Sequence, residues 1–340
     1  MTTPSNLSWL PETLLPVALR LGRADALAGE LGDVCLSWSR GENGEGPLDV
    51  VQVEREPGFV ALEIRRIRTV PPIAGMLFSE IINHLRAVID NVVYRLAEQA
   101  HGQPFTPKEA TQVAFPIHYD EASYLGKARR LQKKYPQLAP GHPLGDRIQA
   151  LQPFNDPRTV SAVPSGLGGM LLGDGAPDMH PLILLQRYSN DDKHRAIRLA
   201  SGRTITRRDD EPPQPVEMKH VQVGDVVDRG PVGTYFEVVT MPALCVQRPD
   251  GGPWVSPGHE LNKLFGYVAD VAVPRLVTGL DLPDGFPAQI DLSDNNVTDV
   301  NRLEGASNVR AHDRMRLAAA REYAKMMAQP AKLPEIVEPN

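Results

Sequence analysis

The sequence predicts an α+β protein: a helical bundle with a small antiparallel sheet, followed by a β-rich lobe and a C-terminal helix. Three observations carry this. Residues 74 to 100 place Ile81, Ile82, Leu85, Val88, Ile89, Val92, Val93 and Leu96 on one stripe about 140° wide, the width of a core-facing helix. Two strand-like runs, DVVQVERE at 49–56 and FVALEIRRIRTV at 59–70, flank the turn signal Pro57-Gly58. Beyond residue 202 the chain shifts to short β-branched runs separated by Gly224-Asp225 and Asp250-Gly251-Gly252.

In chain order, residues 12–32 read as a helix with apolar positions Leu14, Ala18, Leu21, Ala28 and Leu31, closing at Gly32 as its C-terminal glycine. VCLSWS at 34–39 then reads as a strand joining 49–56 and 59–70 in the small sheet. Pro71-Pro72 ends the sheet and opens the long helix. A second amphipathic helix covers 121–135. The Gly/Pro-rich stretch 157–181 reads as a long loop, and a third helix runs from Pro181 to about Ala200, with proline suited to its first turn. KHVQVGDVVD, GTYFEVVT and ALCVQRPDGGPW supply the β-rich lobe. FGYVADVAVPRLV at 265–277 fits either a last strand or a short helix. After a loop from 280, a helix covers 307–328 and a proline-containing, mobile tail follows. The expected units are therefore 1–200, 201–280 and 281–340.

The chain has 340 residues, 41% apolar and 23% charged, the composition of an ordinary globular protein with two or three units. No uncharged apolar run approaches the roughly 18 residues of a membrane span. Cys35 and Cys245 are the sole cysteines, so no disulfide framework is expected. The amino terminus lacks a basic start and an unbroken apolar core, which makes the cytoplasm the expected compartment. A net charge of −6 argues against a surface that tracks phosphates everywhere, but leaves room for a local basic patch.

Several motifs fail on spacing. SGLGGMLLGDG at 165–175 lacks the phosphate-loop pattern, and His259-Glu260 has Lys263 where a zinc protease needs a second histidine. No Cys/His cluster has zinc spacing, so neither a metal nor another cofactor is expected. KARRLQKK is different. It gathers Lys127, Arg129, Arg130, Lys133 and Lys134 on one half of a helix, as a solvated face or as a cradle for a phosphate backbone.

Two polar clusters lie on predicted helices. Asn83, Arg86, Asp90 and Tyr94 project within about 80° of one another, and Arg86 and Asp90 are spaced to pair. Arg187, Asn190, Asp191, His194 and Arg198 share a side of the third helix. An arginine, a carboxylate and a histidine within two turns can serve acid–base chemistry on a phosphate ester, or form a hydrated helix face. In the first case His194 is the acid/base, Arg187 holds phosphate, Asn190 and Asp191 orient them, and Asn83, Arg86 and Asp90 support from the facing helix. In the second, the clusters are ties between helices in a non-catalytic binding protein.

PPIAGMLFSEIINHLRAVIDNVVYRLA (71–97), FPI (115–117), LQPF (151–154) and LILLQRYSNDDKHRAIRL (182–199) resemble a family of uncharacterised actinobacterial and phage proteins with an H-N-L-R-S-A-L-D-H-L-type helix and a later D-K-H-R motif. His84, Leu85, Arg86, Ala87 and Asp90 keep the character of that helix, Ser79-Glu80 departs from its usual Gly-Asp, and Asp192, Lys193, His194 and Arg195 match the later motif. Arg187 and His194, six residues between them, are also similar to the R-x4–6-H signature of HEPN-type ribonucleases, although Tyr188 stands where a polar residue usually follows the arginine. That resemblance implies metal-independent RNA cleavage by a homodimer, in a phage or antiviral setting.

Overall fold

The computed structural model describes residues 7–41, 46–162, 178–194, 197, 199–201, 203–212, 219–240, 244–282, 286–327 and 336–337. Two long helices frame this α+β fold. α1 spans Leu15–Arg40, after a 3-10 turn at Glu12–Leu14, and α2 spans Pro72–His101. At about 1.5 Å per residue they are about 39 and 45 Å long. They pack antiparallel. At one end the Trp38 indole donates to the Thr69 carbonyl over 2.9 Å; at the other, Pro16 and Val17 share a cleft with Asp90 and Tyr94. On α2 the expected stripe is buried, with Ile81, Ile82, Leu85, Val88, Ile89, Val92 and Val93 fully covered. Gly102, in the left-handed conformation at φ 77°, closes the helix.

The strand expected at 34–39 is helix, because α1 does not stop at Gly32. That glycine is a point of packing, not a cap. A Cβ there would stand 2.6 Å from Met315 Cγ on α10 (Ala311–Met327, the tenth described α-helix in chain order), so any side chain at this position would have to displace Met315. Asp25, also on α1, is buried and accepts from the Ala311 amide at 2.7 Å and from Arg314 Nη2 at 2.7 Å, capping the start of α10. Arg68 caps the C-terminal end of α1, donating to the carbonyls of Ser37 and Trp38.

β1 (Leu48–Glu56) and β2 (Phe59–Ile67) form the expected antiparallel hairpin. What completes the sheet comes from far along the chain: β6 (Val226–Pro231) pairs antiparallel with β2, and β10 (Ile336–Val337) pairs parallel with β1. Ile336 and Val337, expected in a mobile tail, are thus an edge strand; 328–335 and 338–340 lie outside the described residues. Val60, Leu62 and Ile64 of β2 pack with Val221, Val227 and Phe236 in a small core of their own.

Two three-stranded sheets follow, in the orders β3-β8-β9 and β5-β4-β7: β3 is Leu199–Ser201, β4 Arg203–Arg208, β5 Lys219–His220, β7 Phe236–Thr240, β8 Leu244–Gln247 and β9 Trp254–Val255. Leu244, Val246 and Val255 lie in the same apolar core as α1 and α2. Strands from beyond residue 200 therefore share one sheet and one core with residues before it.

Among the described residues, five shorter α-helices come before β3 or directly behind β9. They are α3 (Pro107–Ala110), α4 (Glu121–Gln132), α5 (Pro143–Ala150), α6 (Pro181–His194) and α7 (Pro257–Gly266). The segment 265–277 is helical, with a π-wound stretch at Tyr267–Ala272 leading into α8 (Val273–Thr278). Pro274 has no N–H for the carbonyl four residues back, and the widened turn lies immediately before it. Past the loop from 280, α9 (Asp299–Glu304) precedes α10, which begins at Ala311 rather than 307.

Candidate nucleic-acid interface

The polar stripe of α2 meets a different partner at each turn. Ser79 Oγ and Asn83 Nδ2 both donate to the carboxylate of Asp192 on α6, the latter at 2.7 Å. One turn on, Arg86 grips Asp90 through two hydrogen bonds of 3.1 and 3.0 Å. The pair then brackets a single residue: Arg86 Nη2 donates to the Phe115 carbonyl at 2.7 Å, and the Phe115 amide donates to Asp90 Oδ1 at 2.9 Å. Arg86 and Asp90 stand in for a neighbouring strand.

The next residues are fastened from the opposite side. Buried Gln152 donates to the Pro116 carbonyl at 2.9 Å and accepts from the His118 amide at 3.0 Å. FPI is therefore hydrogen-bonded to LQPF, 36 positions away, and to α2. Their joint product is a fixed run of backbone that ends at Tyr119, which is 53% exposed.

Arg187 reaches Tyr119, not Arg86 or Asp90. Its Nε donates to the Tyr119 hydroxyl at 2.7 Å, its guanidinium lies over the ring at 5.4 Å from the centroid, and Nη1 is 3.1 Å from Asp250 Oδ2. Asn190 is exposed and accepts from Gln186, while Asp191 is half-buried. His194 is the last residue of α6, and its side chain lies outside the described residues. The helix expected to reach Ala200 spans Pro181–His194, and Leu199 already belongs to β3; Arg195, Arg198 and the glycine-rich 165–175 lie outside the described residues. The two helices thus meet through Asn83 and Asp192, while Arg187 and the Arg86–Asp90 pair hold separate partners.

α4 starts beside Tyr119. Asp120 caps it by accepting from the Ser123 amide at 2.8 Å, and Tyr124 and Ala128 bury one side. Lys127, Arg129, Arg130, Lys133 and Lys134 are all exposed on the other, the last two just past the end of the helix at Gln132. Lys134 is paired with Glu109 at 3.7 Å. Lys127 lies close enough to His118 to reinforce what partial burial does first, lowering the imidazole pKa; Asp120 opposes both. The basic face and the Arg187–Tyr119 pair are therefore contiguous, through His118 and the first turn of α4.

Two buried clusters have no signal in the sequence. Arg248 of the β8–β9 connection and Glu260 of α7, both almost wholly buried, pair through hydrogen bonds of 2.8 and 2.8 Å, and Tyr188 donates its hydroxyl to Glu260. Tyr188 thus anchors the inner side of α6 while Arg187 faces outward. Elsewhere Asp156 accepts from Tyr267 at 2.9 Å and from Arg158 at 2.9 Å, with His180 Nε2 3.8 Å away. Burial alone would raise the Asp156 pKa; the hydrogen bonds from Tyr267 and Arg158 outweigh it and hold the carboxyl low. A lone glutamate beside a histidine, as at His259-Glu260, does not announce such a pair, because its arginine comes from a different element.

Among the described residues no group of three or more His, Cys, Asp or Glu side chains could hold a metal ion, and no helix is long and apolar enough to cross a membrane. No protein-family model, no curated protein and no solved structure matches the chain.

Proposed function

We propose that the chain binds nucleic acid, RNA in the first place, through the basic side of α4 and the adjoining Arg187–Tyr119 pair. In this reading the polar clusters of α2 and α6 tie helices and do no chemistry. The observation that carries it is the concentration of five exposed cations on α4 and its C-terminal turn, in a chain whose net charge is −6. The helix-tie half is supported by Arg86 and Asp90, whose hydrogen bonds go to each other and to Phe115. Cys35 and Cys245 are both thiols, which accords with a reducing cytoplasm.

The test is fluorescence anisotropy of a labelled RNA in chelator across a salt series. Reversing Lys127, Arg129 and Arg130 to Glu should weaken binding at least tenfold and flatten the log–log salt slope by about 2, because each phosphate left without its cation changes that slope by about 0.7. Unchanged affinity in that variant overturns the reading.

A second reading, a metal-independent HEPN-type ribonuclease in a phage or antiviral setting and acting as a homodimer, is favoured by one observation: Arg187 is partly open to solvent, on the same helix as His194. RNA cleavage in chelator that is abolished in both Arg187→Ala and His194→Ala would put this reading first.

A further inference from the structure

Resting on the nucleic-acid reading, we infer that the partner is a single strand, that Tyr119 stacks one of its bases, and that Asp250 occupies the place of a phosphate on Arg187.

Tyr119 is placed as a stacking platform must be. The residues before it are hydrogen-bonded on both sides, by Arg86 and Asp90 at Phe115 and by Gln152 at Pro116 and His118, and α4 begins immediately after it. Its backbone is thus fixed before any ligand arrives, while just over half of the residue remains in solvent. An aromatic ring held in advance and more than half open loses little freedom on stacking, and Arg187, which lies over the ring, adds a cation to the same surface. Bases in a duplex have their faces covered by one another, so this surface selects an unpaired strand.

Asp250 stands in the tight turn between β8 and β9, at φ 58° ahead of Gly251 at φ 73°, and its side chain is 62% exposed. The turn, not a packing need, places this carboxylate 3.1 Å from Arg187 Nη1. Such an ion pair in water is weak. A phosphate oxygen offers the same guanidinium an anion of equal or greater charge with matched geometry. Binding therefore exchanges one anion for another on Arg187, and the carboxylate left behind repels the strand. Asn suits a turn of this kind as well as Asp, so Asp250→Asn removes the competitor without disturbing the hairpin.

The probes are a labelled oligoadenylate of about twelve nucleotides, within the usual range of single-strand sites, its duplex with oligouridylate, and inorganic polyphosphate as competitor. The oligoadenylate should bind at least tenfold tighter than the duplex. Tyr119→Ala should weaken oligoadenylate binding about tenfold and polyphosphate binding far less, and Tyr119→Phe, which keeps the ring and gives up only the hydroxyl that accepts from Arg187, should recover most of the oligoadenylate affinity. Asp250→Asn should bind about two- to fivefold tighter, the equivalent of an exposed ion pair no longer opposing the strand. Tyr119→Ala binding like wild type, or Asp250→Asn giving no gain, overturns this inference while the α4 charge reversal still decides the underlying reading. No oligoadenylate binding by the wild-type protein overturns both.

Discussion

Asn83 and Asp192, 109 positions apart, join α2 to α6 through a 2.7 Å hydrogen bond, and Ser79 adds a second donor to the same carboxylate. Asp192 is only half-buried, so the tie is one of moderate strength. Asp192→Ala should lower stability by about 1–2 kcal/mol, and Asn83→Ala in the Asp192→Ala background should cost almost nothing more. Urea denaturation of the four proteins in this cycle measures the coupling. Strictly additive losses would show that the two residues do not interact.

Arg86 and Asp90 act on Phe115 as a unit. Removing either leaves its charged partner without its counter-ion and one Phe115 backbone group without its hydrogen bond. Arg86→Ala or Asp90→Ala should each cost about 2–3 kcal/mol, and the double variant little more than one of them. The same substitutions should weaken nucleic-acid binding only at temperatures where Tyr119 loses its fixed backbone. Anisotropy at low and raised temperature, beside urea midpoints, separates the two effects.

Arg248 and Glu260 form an ion pair almost wholly shielded from solvent. Glu260→Gln keeps the shape and leaves the guanidinium uncompensated, so a loss of about 3 kcal/mol is expected, whereas the combined Arg248→Met, Glu260→Gln variant should recover part of it. Tyr188→Phe, which removes one donor to Glu260, should cost about 1 kcal/mol. Equal losses for the single and double charge variants in thermal or urea unfolding would contradict the pairing.

His180 makes folding sensitive to acid. Its Nδ1 accepts from the Leu182 amide at 3.1 Å, so Nε2 carries the proton of the neutral ring. Burial pushes its pKa down from 6.5 to about 4, with Arg158 adding to the shift and Asp156 opposing it. Between those values the unfolded chain binds more protons than the folded one. Stability is therefore full above pH 6.5 and falls as the pH drops towards 4, by about 3 kcal/mol in all. His84, His118 and His259 are shifted the same way, burial first among the causes, and steepen the fall. Asp156, held low, adds its own loss only below its ordinary 3.8. His180→Asn keeps an acceptor for Leu182 and does not titrate, so its loss of stability between pH 7 and 5 should be smaller than that of wild type in urea midpoints.

The parts of this protein that were legible in its sequence are those that depend on neighbours a few residues away. α2 was legible to within two residues at either end because its apolar stripe repeats from Ile81 to Leu96, and so was the β1–β2 hairpin, because its turn residues lie between its strands. The pairing of Arg86 with Asp90 and the exposed side of α4 follow from the same periodicity.

Tertiary structure decided everything whose partner lies far along the chain. Gly32 has the local chemistry of a helix end, but Met315 makes it a point of close approach, and the expected strand at 34–39 becomes helix with it. Ile336 and Val337 are a strand only because β1 offers an open edge. Arg187 could be placed on a helix face from sequence; that it meets Tyr119 and Asp250 could not, since one partner is 68 residues before it and the other 63 after. The sequence by itself determined which side chains share a helix face, through a fixed rotation per residue. Which distant surface each face meets was decided by packing, because a buried polar group must find its partner wherever the folded chain brings one within reach.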